Sequence, residues 1–337
     1  MKFFVGYQSS PLFREALRGL REHYGELYFS WPGMASGRSG AACSLPGAES
    51  FKSALAEYAG DGMSMHLLLN GNCYGRRSLS RRLMQQIGDL VEELMQLINL
   101  KGVTTTSPVI ARFLKMNFAS LEVRASVNME IGTVEALDYL GELFDSFYLK
   151  REYNYDIDRI RQMHEHCRNH GKKLYLLANS GCLSFCPART FHDNLVAHQD
   201  EIAEMDNAFS FPGLCHDFLR ERGSRGSLLA RSNFIRPEDV HHYEGLCDGM
   251  KLATRVSTFA PMILRAYAAG RHPGNILDLT EPCHSASFQP EILANDKFPG
   301  DFWERRILPG AGEYCSGVQE QITVNTNTNL VFPNADK

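Results

Sequence analysis

A regular alternation of short β-rich runs and longer amphipathic stretches is the feature that most constrains the fold of this chain. The runs that we predict as strands are 3–8, 26–31, 64–71, 103–107, 121–128, 147–151, 173–179, 228–235 and 250–254. The stretches that we predict as helices are 11–22, 50–59, 79–98, 132–142, 154–169, 190–205 and 257–269. This alternation favours parallel strands joined by right-handed crossovers.

Nine strand candidates suit an eight-stranded (β/α)8 TIM-like barrel with one run too many. A doubly wound sheet would carry a glycine-rich phosphate turn after its first strand, but residues 8–11 contain no glycine. The glycines of 33–40 lack the G-x-G-x-x-G spacing, so we predict a flexible loop there. We place the barrel in 1–280 and predict that 281–337 form an irregular C-terminal extension packed on it, with a loosely ordered tail.

Composition excludes several classes of protein. Hydrophobic residues make up 44% and charged residues 22% of the 337 residues, as in ordinary globular proteins. The net charge of -4 has no long run of one sign, so the footprint of a duplex-binding protein is missing. No run is long enough for a membrane span, and the first residues do not form a secretory signal, so we expect a cytoplasmic protein.

Cysteine is the residue type that points most directly to chemistry. The nine cysteines stand at 43, 73, 167, 182, 186, 215, 247, 283 and 315. In a reducing compartment such thiols are buried small hydrophobes, ligands of a metal or cluster, or nucleophiles, rather than disulfides.

The densest signal is a cysteine pair directly after a predicted strand. Residues 173–179 run into Gly181 and Cys182, and Cys186 and Pro187 follow. In a parallel barrel, reactive groups lie where strands end, and the glycine and proline keep this loop from continuing as helix or strand. The spacing alone leaves two interpretations open: ligands of zinc or an iron–sulfur cluster, or ordinary buried cysteines.

Polar residues near the ends of other predicted elements allow two interpretations as well. Asp193 or Asn194 is expected to cap the helix 190–205, with a catalytic role as the alternative. Lys251 and Arg255 bracket the end of the last strand, where cations can hold an anionic substrate or neutralise thiolates. No G-x-S-x-G elbow is present, so a serine triad is not supported.

Six phrases in the second half of the chain resemble the U32 family, historically called collagenase-like peptidases, and in particular an uncharacterised U32-related branch. They are 126–132, 147–152, 176–182, 191–198, 235–239 and 251–255. The resemblance implies a (β/α)8 barrel and, as in well-studied relatives, a [4Fe–4S] cluster held by four cysteines. Those relatives support hydroxylation of ubiquinone precursors or of tRNA bases, sometimes together with a second U32 protein.

Carried over by position, the resemblance implies that Cys182 and Cys186 are ligands after the sixth barrel strand and that Cys215 is the third. Cys315 is the expected fourth ligand, with His241 and then Cys283 as substitutes. Arg189, Lys251 and Arg255 are expected to surround the cofactor as cations.

The expected function is therefore a U32-like protein that binds one [4Fe–4S] cluster at the barrel mouth and supports redox or hydroxylation chemistry. A small molecule, an RNA or a peptide remains open as its substrate. The alternatives are a U32-type peptidase and a non-catalytic partner of a second U32 protein. Whether the chain is an enzyme is left open, with a redox or hydroxylation accessory favoured over a peptidase.

Overall fold

The computed structural model of the protein describes residues 1–37, 47–211 and 213–326. Three features considered above fall wholly or partly outside these ranges: Cys43, the end of the glycine-containing loop 33–40, and the polar tail from residue 327 onward.

Eight parallel strands close into a barrel in chain order, and the last strand pairs with the first. The predicted (β/α)8 fold is therefore confirmed. The strands are β1 (Phe3–Gly6), β2 (Tyr24–Ser30), β3 (Ser64–Leu69), β4 (Gly102–Thr105), β5 (Glu122–Ala125), β6 (Ser146–Tyr148), β7 (Lys173–Leu177) and β8 (Gly249–Leu252).

Helices follow the strands and cover the outside of the barrel. Those of the described chain are α1 (Pro11–Gly19), α2 (Ala48–Gly60), α3 (Arg81–Ile98), α4 (Pro108–Asn117), α5 (Val134–Leu140), α6 (Ile157–Asn169), α7 (Arg189–Ala197), α8 (Gln199–Ala203), α9 (Leu214–Arg220), α10 (Arg222–Arg225), α11 (Leu228–Arg231), α12 (Ala260–Ala269), α13 (Ser285–Phe288), α14 (Phe302–Arg306) and α15 (Gly312–Ile322). Short 3-10 turns span Gly75–Arg77, Val127–Met129, Arg151–Tyr153, Pro237–Tyr243, Ile276–Leu279 and Asn295–Lys297.

Local sequence explains where several helices begin. The Ser80 hydroxyl accepts a hydrogen bond from the Leu83 amide at the start of α3, and Ser107 does the same for Ile110 at the start of α4. Such side-chain caps satisfy amides that have no partner within the helix.

Side chains along a strand alternate between two environments, as β2 shows. Leu27 and Phe29 point outward into the layer between barrel and helices, where both are completely buried. Glu26 and Tyr28 point the other way, into the barrel interior. A period of two therefore places apolar side chains outside the barrel and a mixed polar and aromatic set inside it.

Arg124 on β5 occupies the barrel interior and is only 1% exposed. Its two terminal nitrogens each donate to a different oxygen of Glu26 at 2.9 Å, and one of them also reaches Glu122 at 2.9 Å. The guanidinium carbon lies 4.4 Å from the ring centre of Tyr175 and 5.2 Å from that of Phe4. Paired carboxylates and aromatic faces thus compensate for burying a charge that could not persist alone.

One predicted strand is wrong, and several helices are not among the predicted ones. Residues 228–231 form α11 rather than a strand, because Leu228 and Leu229 pack into the core and the Leu229 amide donates to the Gln319 side chain on α15 at 2.8 Å. A short apolar run cannot distinguish strand from buried helix by its period. The longest helices that were not predicted are α4, which follows β4 after only two residues, and α15 in the C-terminal segment.

Residues 281–326 form further helices and a two-stranded antiparallel sheet of β9 (Glu291–Leu293) and β10 (Thr323–Asn325). Helix α15 packs against α11 on the outside of the barrel. Across the described ranges, no helix has both the length and the apolar character needed to cross a membrane.

Replacing Arg124 by methionine tests the interior ion pair. The variant leaves the Glu26 carboxylate buried without its main partner, so we expect the free energy of unfolding to fall by about 3–5 kcal/mol. Urea unfolding followed by circular dichroism measures it. The double variant Arg124→Met/Glu26→Gln removes the unpaired charge and should recover part of the loss. A change no larger than that of a surface substitution would contradict this account of the interior.

Candidate functional site

A cavity of about 350 Å³ lies at the carboxyl ends of the barrel strands. Its walls come from segments that follow β3, β5, β6, β7 and β8, and from the helices α7 and α9. This is the end of a parallel barrel where reactive groups are found in enzymes with this fold. We refer to it as the barrel-mouth cavity.

Three cysteines from two separate segments line the barrel-mouth cavity. Cys182 and Cys186 lie in the loop after β7, and Cys215 lies in the first turn of α9. Burial, and then the proximity of Cys182 and Cys186, raise the pKa of the Cys215 thiol to about 11. Within the described ranges, no three His, Cys, Asp or Glu side chains are arranged closely enough to hold a metal ion. The cavity therefore gathers three soft donors that are not in contact around a common point.

The loop that carries Cys182 is held tightly at Gly181. The Gly181 amide donates to the carbonyl of Glu281 at 2.8 Å, and its own carbonyl lies 2.9 Å from Nε2 of His284. A Cβ at this position would stand 2.0 Å from the carbonyl oxygen of Pro282. Only glycine allows this close approach of two backbones.

Cys182 itself is contacted on both its backbone and its side chain. The Asn233 amide donates to the Cys182 carbonyl at 2.9 Å. One Arg151 nitrogen lies 3.5 Å from the Cys182 sulfur, and another donates to Oδ1 of Asn128 at 3.1 Å. Arg151 therefore joins the Cys182 sulfur to Asn128 at the cavity wall.

Arg189 is a second buried cation at this wall. It is 7% exposed and pairs with Glu152 at 2.7 Å and with Glu130 at 3.3 Å. Burial lowers its pKa, but attraction to Cys182 and to these carboxylates outweighs burial, so the pKa of Arg189 is raised overall. Its charge is therefore permanent and partly directed at the cysteine loop.

Lys251 on β8 forms part of the cavity floor. Its amine stands 4.0 Å from the ring centre of Tyr28 and 5.5 Å from that of Tyr148, whose hydroxyl accepts a hydrogen bond from Arg124 below. Burial, and then the charge of Arg255, lower the pKa of Lys251 to about 7. A large fraction of this amine is therefore uncharged near neutral pH.

The structure gathers most, but not all, of the predicted site residues. Cys182, Cys186, Cys215, Arg189, Lys251 and Arg255 all line the barrel-mouth cavity. The cysteine pair follows the seventh barrel strand and not the sixth, as was predicted. The strand before the pair, β7, has six other barrel strands ahead of it in the chain.

The three candidates for a fourth ligand lie elsewhere. Cys315 is completely buried in α15 among core residues, because that helix turns its apolar face to the barrel. The His241 ring lies 3.8 Å from that of His242, and the Cys283 thiol contacts the Ser285 hydroxyl. None of the three is among the residues that line the cavity.

The predicted capping role of Asp193 and Asn194 is wrong. Helix α7 begins at Arg189, with Ala188 at the N-cap, so both residues lie in its interior. Asp193 and its neighbour His192 line the barrel-mouth cavity instead. They are thus positioned for contact with whatever the cavity holds.

Sequence reasoning missed Asn128 and Arg151 as site residues. Each follows directly on a barrel strand, in a 3-10 turn after β5 and after β6 respectively. Their position just after barrel strands is the sequence signal that indicates them, as it does for the residues after β7 and β8.

Comparison with known proteins gives one sequence relative and one informative structural neighbour. The chain is 28% identical over 226 residues to the uncharacterized protease MJ1657 of Methanocaldococcus jannaschii, with 64% of this chain and 63% of that relative's length covered. Its fold matches the U32 peptidase Mk0906 with a TM-score of 0.56 and 17% identity, over 75% of this chain and 92% of the other. No protein-family model matches the chain.

Replacing Lys251 by methionine tests the buried amine through the pH dependence of stability. Because the folded pKa of about 7 is below the unfolded value of about 10.4, the unfolded chain binds a proton between these pH values that the folded chain does not. Wild-type stability should therefore rise with pH across this window, by up to about 1.4 kcal/mol per pH unit, relative to the variant.

Urea unfolding of both proteins between pH 7 and pH 10 measures the difference in the free energy of unfolding. Lys173→Met, which removes an exposed lysine at the start of β7, is the matched control and should show no such trend. A difference between Lys251→Met and wild type that stays constant over the window would mean that the amine titrates normally.

Proposed function

We propose that this member of the U32 peptidase family binds an iron–sulfur cluster in the barrel-mouth cavity and supports redox or hydroxylation chemistry on a substrate bound beside it. The family assignment is supported by the sequence relative and by the barrel fold, and it confirms the resemblance seen in the sequence. The relative is matched over less than two thirds of its own length, so its activity is not transferred to this chain.

One observation carries the proposal: thiols from two distant segments, Cys182 with Cys186 and Cys215, line one cavity together with several cations. Soft thiolate donors are the ligands that iron–sulfur clusters require. Such a cluster supplies one-electron transfer when it is bound.

The donor set suits a cluster with three cysteine ligands better than one with four. Cys315 does not line the cavity, whereas the imidazoles of His192 and His216 do. We infer that the fourth position is left to a group at the cavity wall or to the substrate.

The surrounding residues suit an anionic occupant. Three guanidinium groups, those of Arg151, Arg189 and Arg255, line the cavity against the carboxylates of Asp193 and Glu281. In this proposal Arg151 orients the Cys182 sulfur as a ligand, since its guanidinium already donates to that atom. Excess positive charge also favours a substrate with a carboxylate or phosphate group.

Lys251 would accept a proton from that substrate. Its amine lies on the cavity floor, and its pKa of about 7 matches that of an efficient general base at neutral pH. Tyr28 and Tyr148 fix the amine from two sides, so its direction is set before a substrate enters.

Peptide hydrolysis is the alternative, and the matched relative is called a protease. Peptide turnover that survives replacement of both Cys182 and Cys186 would favour it. Stable co-purification with a second U32 protein, without activity of the single chain, would favour a non-catalytic partner.

Cofactor content tests the proposal directly. Protein purified without oxygen should be coloured and contain about four iron and four sulfide ions per chain, and Cys182→Ala and Cys215→Ala should each lose most of both. Absorbance spectra with iron and sulfide quantitation measure this.

Cys315→Ala is the matched control, because Cys315 lies outside the cavity wall, and it should retain its iron. Colourless, iron-free wild-type protein would contradict the proposal. Loss of iron from Cys315→Ala equal to that from Cys182→Ala would contradict the three-cysteine assignment.

A further inference from the structure

A second cavity, of about 190 Å³, lies beside the barrel mouth. Helix α8 and the preceding His198 separate the two, since Gln199 lines the barrel-mouth cavity while His198 and Glu201 line the second one. Cys73, from the loop after β3, completes this cluster. None of these three residues belongs to the site described above.

We propose that Cys73, His198 and Glu201 form a separate catalytic site, in which the Cys73 sulfur takes up a short acyl group from an ester or thioester. The proposal goes beyond the function proposed for the barrel mouth and does not depend on a cofactor there.

The three side chains are ordered as nucleophile, base and orienting carboxylate. Nδ1 of His198 lies 2.9 Å from Oε2 of Glu201, and the imidazole also interacts with the Cys73 thiol. The carboxylate fixes the ring and favours its charged form, while the ring takes the proton of the sulfur.

The backbone around Cys73 supports a charged sulfur. The Gly75 amide donates to the Cys73 sulfur at 3.3 Å, and Gly75 adopts a φ of +54°, where glycine is favoured. The Tyr74 hydroxyl donates to the Leu69 carbonyl at 2.6 Å and so ties this loop to the end of β3. The nucleophile therefore sits on a loop fixed to the barrel.

The electrostatics of the cluster agree with this arrangement. The hydrogen bond with His198, and then the Gly75 amide, lower the pKa of the Cys73 thiol. Cys73 and then Glu201 raise the pKa of His198. By contrast, burial raises the pKa of Cys167 and of Cys247 to about 12, so those thiols are inert.

The cavity suits a small, largely apolar acyl group. Met34, Tyr74 and Leu83 contribute apolar surface, and the charged groups at its rim besides the cluster are Arg77 and Asp200. A space of this size holds a short chain and not a folded peptide.

The reaction balances without a further reactant except water. The Cys73 sulfur bonds to the acyl carbon, the carbon–oxygen or carbon–sulfur bond of the substrate breaks, and His198 gives its proton to the leaving alcohol or thiol. Water, deprotonated by His198, then cleaves the thioester and releases a carboxylic acid and the free Cys73 thiol.

Site-resolved alkylation tests the nucleophile. The wild-type protein is treated with iodoacetamide from pH 5 to pH 9, and mass spectrometry follows the peptide that contains Cys73. We expect His198→Asn to lose most of the Cys73 alkylation rate at pH 7, because the imidazole that lowers the pKa of this thiol is gone. Glu201→Gln should reduce the rate less.

His170→Asn, which changes a histidine outside both cavities, is the matched control and should leave the rate unchanged. Circular dichroism shows whether each variant is folded. The pH profile of the wild-type protein tests the proposal even if a variant does not fold. A Cys73 rate that follows free glutathione across the pH range would overturn the assignment of a nucleophile.

Acyl uptake is read with 4-nitrophenyl acetate. We expect release of nitrophenol together with an acetyl mass increment on the Cys73 peptide, both lost in Cys73→Ser. A reactive thiol that never carries an acetyl group would overturn the acyl class. Because iron content is not read in either assay, failure here and failure of the barrel-mouth proposal are distinguishable.

Discussion

The ion pair between Arg124 and Glu26 is the interaction on which the rest of the structure depends. A barrel with short strands needs its interior filled, and here a buried guanidinium does so, held between two carboxylates and stacked among aromatic rings. The same Arg124 donates to Tyr148, whose ring faces the Lys251 amine on the cavity floor. The charge of Arg124, which fills the barrel interior, therefore also acts on Lys251 at the cavity floor and helps to lower its pKa.

The cavity at the mouth is unusual in combining soft donors with buried cations. Burial favours the protonated form of a thiol, and it is the main cause of the raised pKa of Cys215. Arg151 donates to the Cys182 sulfur, and attraction to Cys182 and to nearby carboxylates raises the pKa of Arg189 behind the same loop, so that Arg189 stays charged. Three partly exposed thiols thus share the cavity wall with these two guanidinium groups.

Much of the fold was predictable from sequence, because the period of the apolar residues reports directly on which face of an element is buried. The failures have physical causes. The sequence predicts a strand at Leu228 and Leu229, where the structure has a helix, because a short apolar run fits a strand and a buried helix equally well. Cys315 was expected at the mouth from a resemblance, yet the apolar face of α15 carries it into the core. The cluster of Cys73 with His198 was missed because only the closed barrel brings residues so distant in sequence together.

The contact of Gly181 with Glu281 and Pro282 has a consequence for how the chain is divided. The alternation of strands and helices ends near residue 280, and the predicted boundary lies there. That boundary separates the cysteine loop from residues 281 and 282, which support it. The first residues of the extension are therefore a structural part of the mouth, and the two portions of the chain are not interchangeable modules. A chimera that joins the barrel of one relative to the extension of another would have to preserve the contact of Gly181 with Glu281 and Pro282.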